Sequence, residues 1–150
     1  MAVVLTFATQ KQKAMNEPDS IEIMLGGEAR TIAVVGLSVD PAKPSHYVSA
    51  YMQRMGYKIY PVNPAVETVL GERSYGSLAE LPVKPDVVNV FRVPSQIPAI
   101  VDEMLALGLK NLWVQLGIVN LEAAARAEQG GIRVVMDRCI MVEHRRRGVA

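Results

Sequence analysis

The stretch TIAVVGLS at residues 31–38 decides the fold of this chain. Its first five residues are apolar or β-branched, which is typical of a buried strand, and the run stops at a glycine. The loop that follows carries Pro41, Lys43, Pro44 and Ser45. A strand that leads through a glycine into such a loop is typical of phosphate binding. We therefore predict the first and central strand of a parallel sheet, with the function located at its C-terminal end.

The composition predicts one ordinary domain. The chain has 150 residues, of which 50% are hydrophobic, and its 16 basic and 15 acidic residues leave a net charge of +1. A chain of this length buries about two thirds of its unfolded surface, which is enough for one core. The balance of charge excludes a generally basic nucleic-acid-binding protein. Any binding of anions therefore has to depend on local cations.

Cys139 is the single cysteine, and His46 and His144 are the two histidines. One cysteine forms no intrachain disulfide, and these residues assemble no zinc-type cluster. Residues 1–8 have no basic region before a short apolar run, which predicts neither a secretory signal nor a membrane anchor. We expect a cytoplasmic protein with no nucleic-acid or membrane partner, and the sequence leaves protein partners and oligomeric state open. Residues 1–27 are expected to form an arm with a short helix, and residues 28–150 the domain.

Strand-like and helical patterns alternate along the chain. The predicted strands are residues 31–35, 58–62, 86–91, 111–115 and 132–136, with a short edge strand at 68–70. The predicted helices have their caps at Asp19 or Ser20, Ser45, Ser95 and Asn120, and a further brief helix is predicted at 77–81. Alternation of this kind predicts the α/β class, as a single Rossmann-like domain with a doubly wound parallel sheet. The C-terminal ends of the strands then meet at one edge of the sheet, which we call the rim.

The loop after the first strand departs from the dinucleotide-binding fingerprint. The pattern G-x-G-x-x-G falls on Gly36, Ser38 and Pro41, so only the first glycine is present. The second strand ends at Asn63, where an NAD site has an acidic residue for the ribose hydroxyls. Both differences argue against an NAD(P)-binding protein. Ser38, Lys43 and Ser45 remain as phosphate ligands beside a helix N-terminus, and an ordinary turn with a solvated lysine is the alternative.

Six short motifs occur in order at the ends of the predicted strands and in the first loop. They are GLS at 36–38, KPS at 43–45, YPVNP at 60–64, VFRVP at 90–94, WVQLG at 113–117 and MDRC at 136–139. Together they resemble the small, free-standing CoA-binding domain proteins, which are similar to the nucleotide-binding domain of the succinyl-CoA synthetase alpha subunit. The resemblance extends from about Glu28 to Arg146 and is far more specific than a single glycine loop.

The resemblance implies coenzyme A as the ligand. It implies that the CoA pyrophosphate lies along Gly36, Leu37 and Ser38, with Lys43, Pro44 and Ser45 beside it. It further implies that Asn63 and Pro64 border the nucleotide, that Phe91, Arg92, Val93 and Pro94 flank the adenine, and that Gln115, Leu116 and Gly117 lie at the pantetheine end. A Val-Pro segment leaving a strand offers adenine an apolar wall with backbone polar groups at its edge. Core packing is the alternative for Phe91.

Two departures from the synthetase bear on function. Its domain has a glycine-richer phosphate loop and a basic residue shortly after the strand-two proline, where this chain has Ala65 and Val66. We therefore expect phosphate binding to depend on Lys43 and Arg92. The phosphorylated histidine of the synthetase lies in a separate ligase domain that a 150-residue chain is not expected to contain, so ligase activity is not implied.

The expected function is binding of CoA or an acyl-CoA by a carrier or sensor without turnover of its own. The alternative is an enzyme or redox-regulated protein that acts on the CoA thiol or thioester through Cys139, which closely follows the last strand. A buried structural cysteine is the competing interpretation of Cys139. The sequence assigns no catalytic residue and no metal ligand, and it leaves open which CoA derivative is bound.

Overall fold

The computed structural model of the protein describes residues 15–147 and confirms the predicted α/β fold. The strands are β1 (Thr31–Val35), β2 (Lys58–Val62), β3 (Thr68–Val69), β4 (Glu72–Arg73), β5 (Val87–Val90), β6 (Asn111–Val114) and β7 (Arg133–Met136). The helices are α1 (Pro18–Leu25), α2 (Pro44–Arg54), α3 (Ile97–Leu107), α4 (Leu121–Gln129) and α5 (Ile140–Arg146). Short 3-10 turns occur at Leu78–Glu80 and Pro94–Gln96. The first part of the predicted N-terminal arm, up to residue 14, lies outside the described residues.

Five strands form one parallel sheet in the order β2-β1-β5-β6-β7. The prediction that β1 is the central strand is wrong, because β1 lies beside the edge strand β2 and β5 occupies the centre. The chain passes from β1 to β2 on one side and then crosses to β5 on the other side of β1. The strand order therefore reverses between β1 and β5. In open α/β sheets, ligands bind at this reversal, outside the carboxyl ends of the strands.

Helices cover both faces of the sheet and bury two hydrophobic layers. Successive residues of β1 point to opposite faces of the sheet and pack in different layers. Ala33 packs with α3 and α4, whereas Ile32 packs with α1, α2 and α5. Burial on both faces explains the continuous apolar runs of the strands. Trp113 is fully buried in the second layer, and its Nε1 donates a hydrogen bond of 2.8 Å to the Arg138 carbonyl. Among residues 15–147, no helix has the length and apolar character needed to cross a membrane.

Several element boundaries differ from the predictions. Helices α1 and α2 begin at prolines, before the predicted serine or aspartate caps, because the first helical position does not need an N–H group. Ser45 therefore lies inside the first turn of α2. The helix predicted after Ser95 begins at Ile97, behind a 3-10 turn, and the helix predicted at 77–81 is only a 3-10 turn.

The predicted edge strand at residues 68–70 is not part of the main sheet. Strand β3 pairs only with β4, in a separate antiparallel hairpin. Leu70 and Gly71 both have positive φ, at 55° and 75°, and this geometry closes a tight hairpin turn. The chain therefore folds back on itself after β3 instead of continuing along β2.

The basic run after Glu143 is typical of a solvated tail or an ion-paired helix end, and the structure has a helix end: Arg145 and Arg146 lie in α5, and Arg147 caps it. His144 on this helix is 3% exposed, and its Nδ1 lies 2.8 Å from the hydroxyl of Tyr51 on α2. Burial and the neighbouring Arg147 guanidinium hold the pKa of His144 below its ordinary value. Arg147 also pairs with Glu22 of α1. The C-terminal run thus joins three helices through a buried histidine and an ion pair.

Candidate functional site

The loops that follow β1 and β5 lie against each other at the rim, and we call the place where they meet the crevice. Gly36 directly follows β1 and has a φ of 92°. A Cβ at this position would lie 2.6 Å from the Phe91 carbonyl oxygen and 3.2 Å from Nε of Arg92. The position therefore requires glycine both for its backbone conformation and for the close approach of the neighbouring loop. The same geometry brings the half-buried Arg92 side chain against the loop after β1.

The loop between β1 and α2 is held by its own polar groups. The Ser38 N–H donates to Ser45 Oγ at 3.0 Å, and the Asp40 N–H donates to Ser38 Oγ at 3.0 Å. Because both hydroxyls act as acceptors in these bonds, each keeps its O–H proton for another partner. Asp40 fixes the turn further through a bond of 2.9 Å from the Ala42 N–H to its Oδ1. This carboxylate is a negative charge near the candidate site that the sequence analysis did not weigh.

Two cations stand beside this loop. Lys43 immediately precedes α2 and is exposed, and Arg92 approaches from the end of β5. Neither residue forms an ion pair with another residue in the range 15–147. The N-terminus of α2 carries partial positive charge, although the N–H groups of His46 and Tyr47 already donate to the Lys43 carbonyl. The loop therefore combines hydroxyls, cations and a helix N-terminus in the arrangement that suits a phosphate group.

Two of the predicted site residues are largely core residues. Leu37 is fully buried and packs in the layer of α1, α2 and α5, so only its backbone belongs to the loop surface. Phe91 is half-buried and packs against the same layer. The core-packing alternative for Phe91 therefore describes much of its side chain.

Asn63 connects three segments at the rim. Its Nδ2 donates to the Leu37 carbonyl at 3.0 Å, and its Oδ1 accepts from the Ala65 N–H at 3.0 Å. Its backbone carbonyl accepts from the Ser74 hydroxyl at 2.9 Å, and its N–H donates to the Tyr75 carbonyl at 2.8 Å. Asn63 thus holds the β1–α2 loop against the β3–β4 hairpin. This positioning role was missed because its partners lie far along the chain.

A cavity of about 720 Å³ opens beside Asn63, between the chain after β2 and the β3–β4 hairpin. Its lining includes Pro64, Ala65, Glu67, Thr68, Arg73 and Ser74. Of the predicted site residues, only Pro64 lines it. The sequence gives no local signal for this cavity, because the hairpin that closes it depends on a positive φ at a leucine.

The rim carries the most exposed large apolar side chains of residues 15–147. These are Leu116 (63% exposed), Leu121 (61%), Val39 (57%) and Val93 (57%). They follow three different strands, yet the parallel sheet brings all of them to the same edge. Exposed apolar side chains at the carboxyl edge of a parallel sheet are typical of a surface that contacts an apolar group.

The loops after β6 and β7 are fastened to each other. Gln115 is 5% exposed, and its Oε1 accepts a bond of 3.4 Å from the Ile140 N–H. The Gly117 N–H donates to Asp137 Oδ1 at 2.8 Å. Cys139 immediately precedes α5 and is half-buried. Residues on both sides of Cys139 in the chain are therefore bonded to the segment 115–117, while the Cys139 side chain packs against the layer of α1, α2 and α5, as its structural interpretation expects.

Residues 30–145 match the sequence profile of the CoA binding domain. This chain belongs to the CoA binding domain family. The match includes both sides of the crevice, the β3–β4 hairpin and most of α5. It confirms the family resemblance seen in the six motifs.

Relatives of this CoA binding domain chain include small proteins and a much longer enzyme. The uncharacterized protein YneT of Bacillus subtilis is 42% identical over 131 residues, which are 87% of this chain and 97% of YneT. A solved structure of the Thermus thermophilus protein ID.343 has 39% identity and a TM-score of 0.81, covering 87% of this chain and 98% of that one. ADP-forming acetate–CoA ligase II of Archaeoglobus fulgidus is 31% identical over 84 residues, which are 54% of this chain and 12% of the ligase. The domain therefore occurs both as a small protein and within a ligase.

Proposed function

We propose that this chain binds coenzyme A or an acyl-CoA at the rim and acts as a carrier or sensor without turnover of its own. The observation that carries the proposal is the approach of Arg92 to Gly36, at the reversal of strand order. A tight glycine turn with a half-buried, unpaired guanidinium beside it suits a pyrophosphate. Family membership supports CoA as the compound that carries this pyrophosphate. The match to the ligase relative covers 12% of that enzyme, so the proposal takes from it the CoA-binding region and not the ligase activity.

The phosphate end of CoA is proposed to lie along the backbone of Gly36, Leu37 and Ser38. Lys43 and Arg92 would neutralise its charge, and the hydroxyls of Ser38 and Ser45 would donate hydrogen bonds. Pro44 lacks an N–H, and the N–H groups of His46 and Tyr47 donate to the Lys43 carbonyl, so α2 would favour the anion mainly through the partial positive charge of its N-terminus. The exposed Asp40 opposes binding, which makes the two cations more important for affinity.

The remaining parts of CoA have apolar surfaces available at the same edge. We propose that the adenine packs on the segment Val93-Pro94, where Val93 is 57% exposed. The Asn120 side-chain amide donates a hydrogen bond of 3.0 Å to the Pro94 carbonyl. This bond fixes the orientation of the segment. The pantetheine arm is proposed to extend toward Leu116, because the 63% exposed side chain there offers an apolar contact to its carbon chain.

Ligand-dependent thermal stability tests this proposal. A ligand that binds only the folded state stabilises it by about 2.7 kcal/mol at 100 times its dissociation constant. For a protein of this size, that corresponds to an increase in melting temperature of about 5–10 °C. We expect this increase with CoA and little or none with NAD, because the site lacks the acidic residue that binds the ribose hydroxyls of NAD.

Equal increases with CoA and NAD would contradict CoA-selective binding. No increase with CoA, at concentrations up to several millimolar, would contradict the function itself. Native mass spectrometry of the purified protein gives an independent answer, because a retained CoA, acyl-CoA or nicotinamide cofactor is identified by its mass.

A second candidate function is redox-dependent, covalent retention of CoA by Cys139. The observation that favours it is the position of Cys139 beside the segment 115–117, where we propose that the pantetheine arm ends. In this step the Cys139 thiolate attacks one sulfur of CoA disulfide. A new S–S bond to Cys139 forms, the S–S bond of CoA disulfide breaks, and one CoA leaves as a thiol after taking up the proton lost by Cys139. In the reducing cytoplasm that we expect for this chain, the adduct would mark oxidising conditions.

Incubation with CoA disulfide at slightly alkaline pH is expected to add one CoA mass to the protein. Reductant should remove the added mass, and Cys139→Ser should prevent it. Glutathione disulfide is the matched control, and it should react more slowly because it lacks the nucleotide that the rim would bind. Absence of an adduct, while reduced CoA still binds reversibly, would leave the protein as a non-covalent binder only.

A further inference from the structure

We propose that the cavity beside the β3–β4 hairpin is a phosphate-monoester subsite in which Arg73 binds the 3′-phosphate of CoA. This inference rests on the proposed function and deepens it. It identifies the group by which the protein would distinguish CoA from compounds with an unphosphorylated ribose, such as dephospho-CoA.

The cavity is connected directly to the loop proposed for the pyrophosphate. The Asn63 side-chain amide donates a hydrogen bond of 3.0 Å to the Leu37 carbonyl. The Ser74 hydroxyl donates one of 2.9 Å to the Asn63 carbonyl. Arg73 is the residue next to Ser74, so two hydrogen bonds fix its backbone relative to the β1–α2 loop. In doubly wound folds, the end of the second strand is where the ribose of a bound nucleotide lies. A phosphate on that ribose would therefore point toward the cavity beyond Asn63.

Arg73 is a free cation in this cavity. It is exposed, and no carboxylate in residues 15–147 lies within ion-pair distance of it. Its guanidinium carbon lies 5.3 Å from the centre of the Tyr75 ring, so the planar group is stacked while its N–H donors stay available. Glu72, the other charged residue of β4, is instead paired with Lys58 at 2.8 Å. The hairpin thus leaves one positive charge unneutralised, on the side of the cavity.

The other polar groups of the cavity fit a phosphate next to Arg73. Thr68 is the direct cross-strand partner of Arg73, so the two side chains share one side of the hairpin. The Thr68 hydroxyl can donate a hydrogen bond to the group that Arg73 binds. Glu67 also lines the cavity, and its carboxylate opposes an anion. Glu67 immediately precedes β3 and forms no ion pair with another residue in the range 15–147, so its charge remains as an opposing contribution at this cavity.

Calorimetric titration of the full chain with CoA and with 3′-dephospho-CoA tests the subsite. The unaltered protein should bind CoA about 10-fold or more tightly than dephospho-CoA, as expected for hydrogen bonds to a charged group. Arg73→Gln should remove this preference and leave the affinity for dephospho-CoA unchanged. Glu67→Gln should increase the preference, because it removes the opposing charge. Arg54→Gln is the matched control, since this exposed arginine ends α2 at the opposite edge of the sheet.

The outcomes separate this inference from the proposed function. If the unaltered protein binds neither compound, the proposed function fails. If it binds both equally, or if Arg73→Gln weakens both to the same extent, CoA binding stands and the 3′-phosphate subsite is overturned. Loss of the preference in Arg73→Gln alone, with Arg54→Gln unchanged, supports the subsite.

Discussion

Replacing Gly36 by alanine is expected to abolish CoA-dependent stabilisation and to destabilise the ligand-free protein. The left-handed backbone at Gly36, with a φ of 92°, costs any other residue roughly 1–2 kcal/mol. The clash of the new Cβ with the Phe91 carbonyl, at 2.6 Å, adds to this cost. We expect a total loss of about 3 kcal/mol in the free energy of unfolding. Relief of the clash has to separate the loops after β1 and β5, which moves Arg92 away from the proposed phosphate position.

Gly27→Ala provides a matched control for this variant. Gly27 also has a positive φ, at 100°, but a Cβ there meets no atom within 4 Å. It lies before β1, at the opposite edge of the sheet. Gly27→Ala should therefore lose only the conformational contribution and should keep the full CoA response. Denaturant unfolding and a thermal titration with CoA measure both effects. Equal behaviour of the two variants would contradict the close packing of the crevice that we infer at Gly36.

Gly36 also illustrates how sequence and structure differ in what they explain. The sequence predicts a glycine turn after β1, and the structure has that turn. From the sequence, this turn is predicted to be part of a phosphate site. The structure shows that the space of a Cβ at this position is already filled by the Phe91 carbonyl. That contact depends on β5 lying next to β1, and strand order follows from long-range packing that no local pattern encodes.

Elements with strong local signals were predicted to the residue. Strands β1 and β2 have the predicted bounds, because an apolar run meets Gly36 at the end of β1 and Asn63-Pro64 follows β2. Helix α4 begins after the predicted Asn120 cap, whose Oδ1 accepts from the Ala123 N–H at 3.0 Å. In these segments, the residues that stop or cap an element are close to it in sequence.

Features with distant partners were not predicted. His144 precedes a basic run in the sequence without a local sign of burial, and its hydrogen-bond partner Tyr51 is 93 residues away. Asn63 is predicted to border the nucleotide, and its amide also bonds to two segments of the protein itself, which the sequence does not indicate. Arg73 was not considered at all, because it reaches the rim through a hairpin whose turn has an unusual leucine conformation. The positioning of the site therefore depends on contacts between segments, and the sequence reveals mainly its backbone turns and chemical groups.

Removing both cations of the crevice, by Lys43→Gln combined with Arg92→Gln, is expected to weaken CoA binding by at least about 100-fold. Hydrogen bonds to charged groups contribute about 1.5–3 kcal/mol each, and every 1.4 kcal/mol is a factor of about ten in affinity. Each single variant should therefore lose about 10-fold. A combined loss smaller than the product of the two would indicate that both residues contact the same phosphate.

Lys110→Gln combined with Arg133→Gln is the control for this double variant. Both residues are exposed and lie at the opposite edge of the sheet, before β6 and at the start of β7. The two double variants lower the net charge equally, so the overall attraction of the protein for a polyanion changes by the same amount. With a net charge of +1, that overall attraction is small from the start. The difference in CoA affinity between the variants, measured at two salt concentrations, therefore reports the local contribution of Lys43 and Arg92. That difference should shrink at high salt, and no difference would identify both residues as solvated cations.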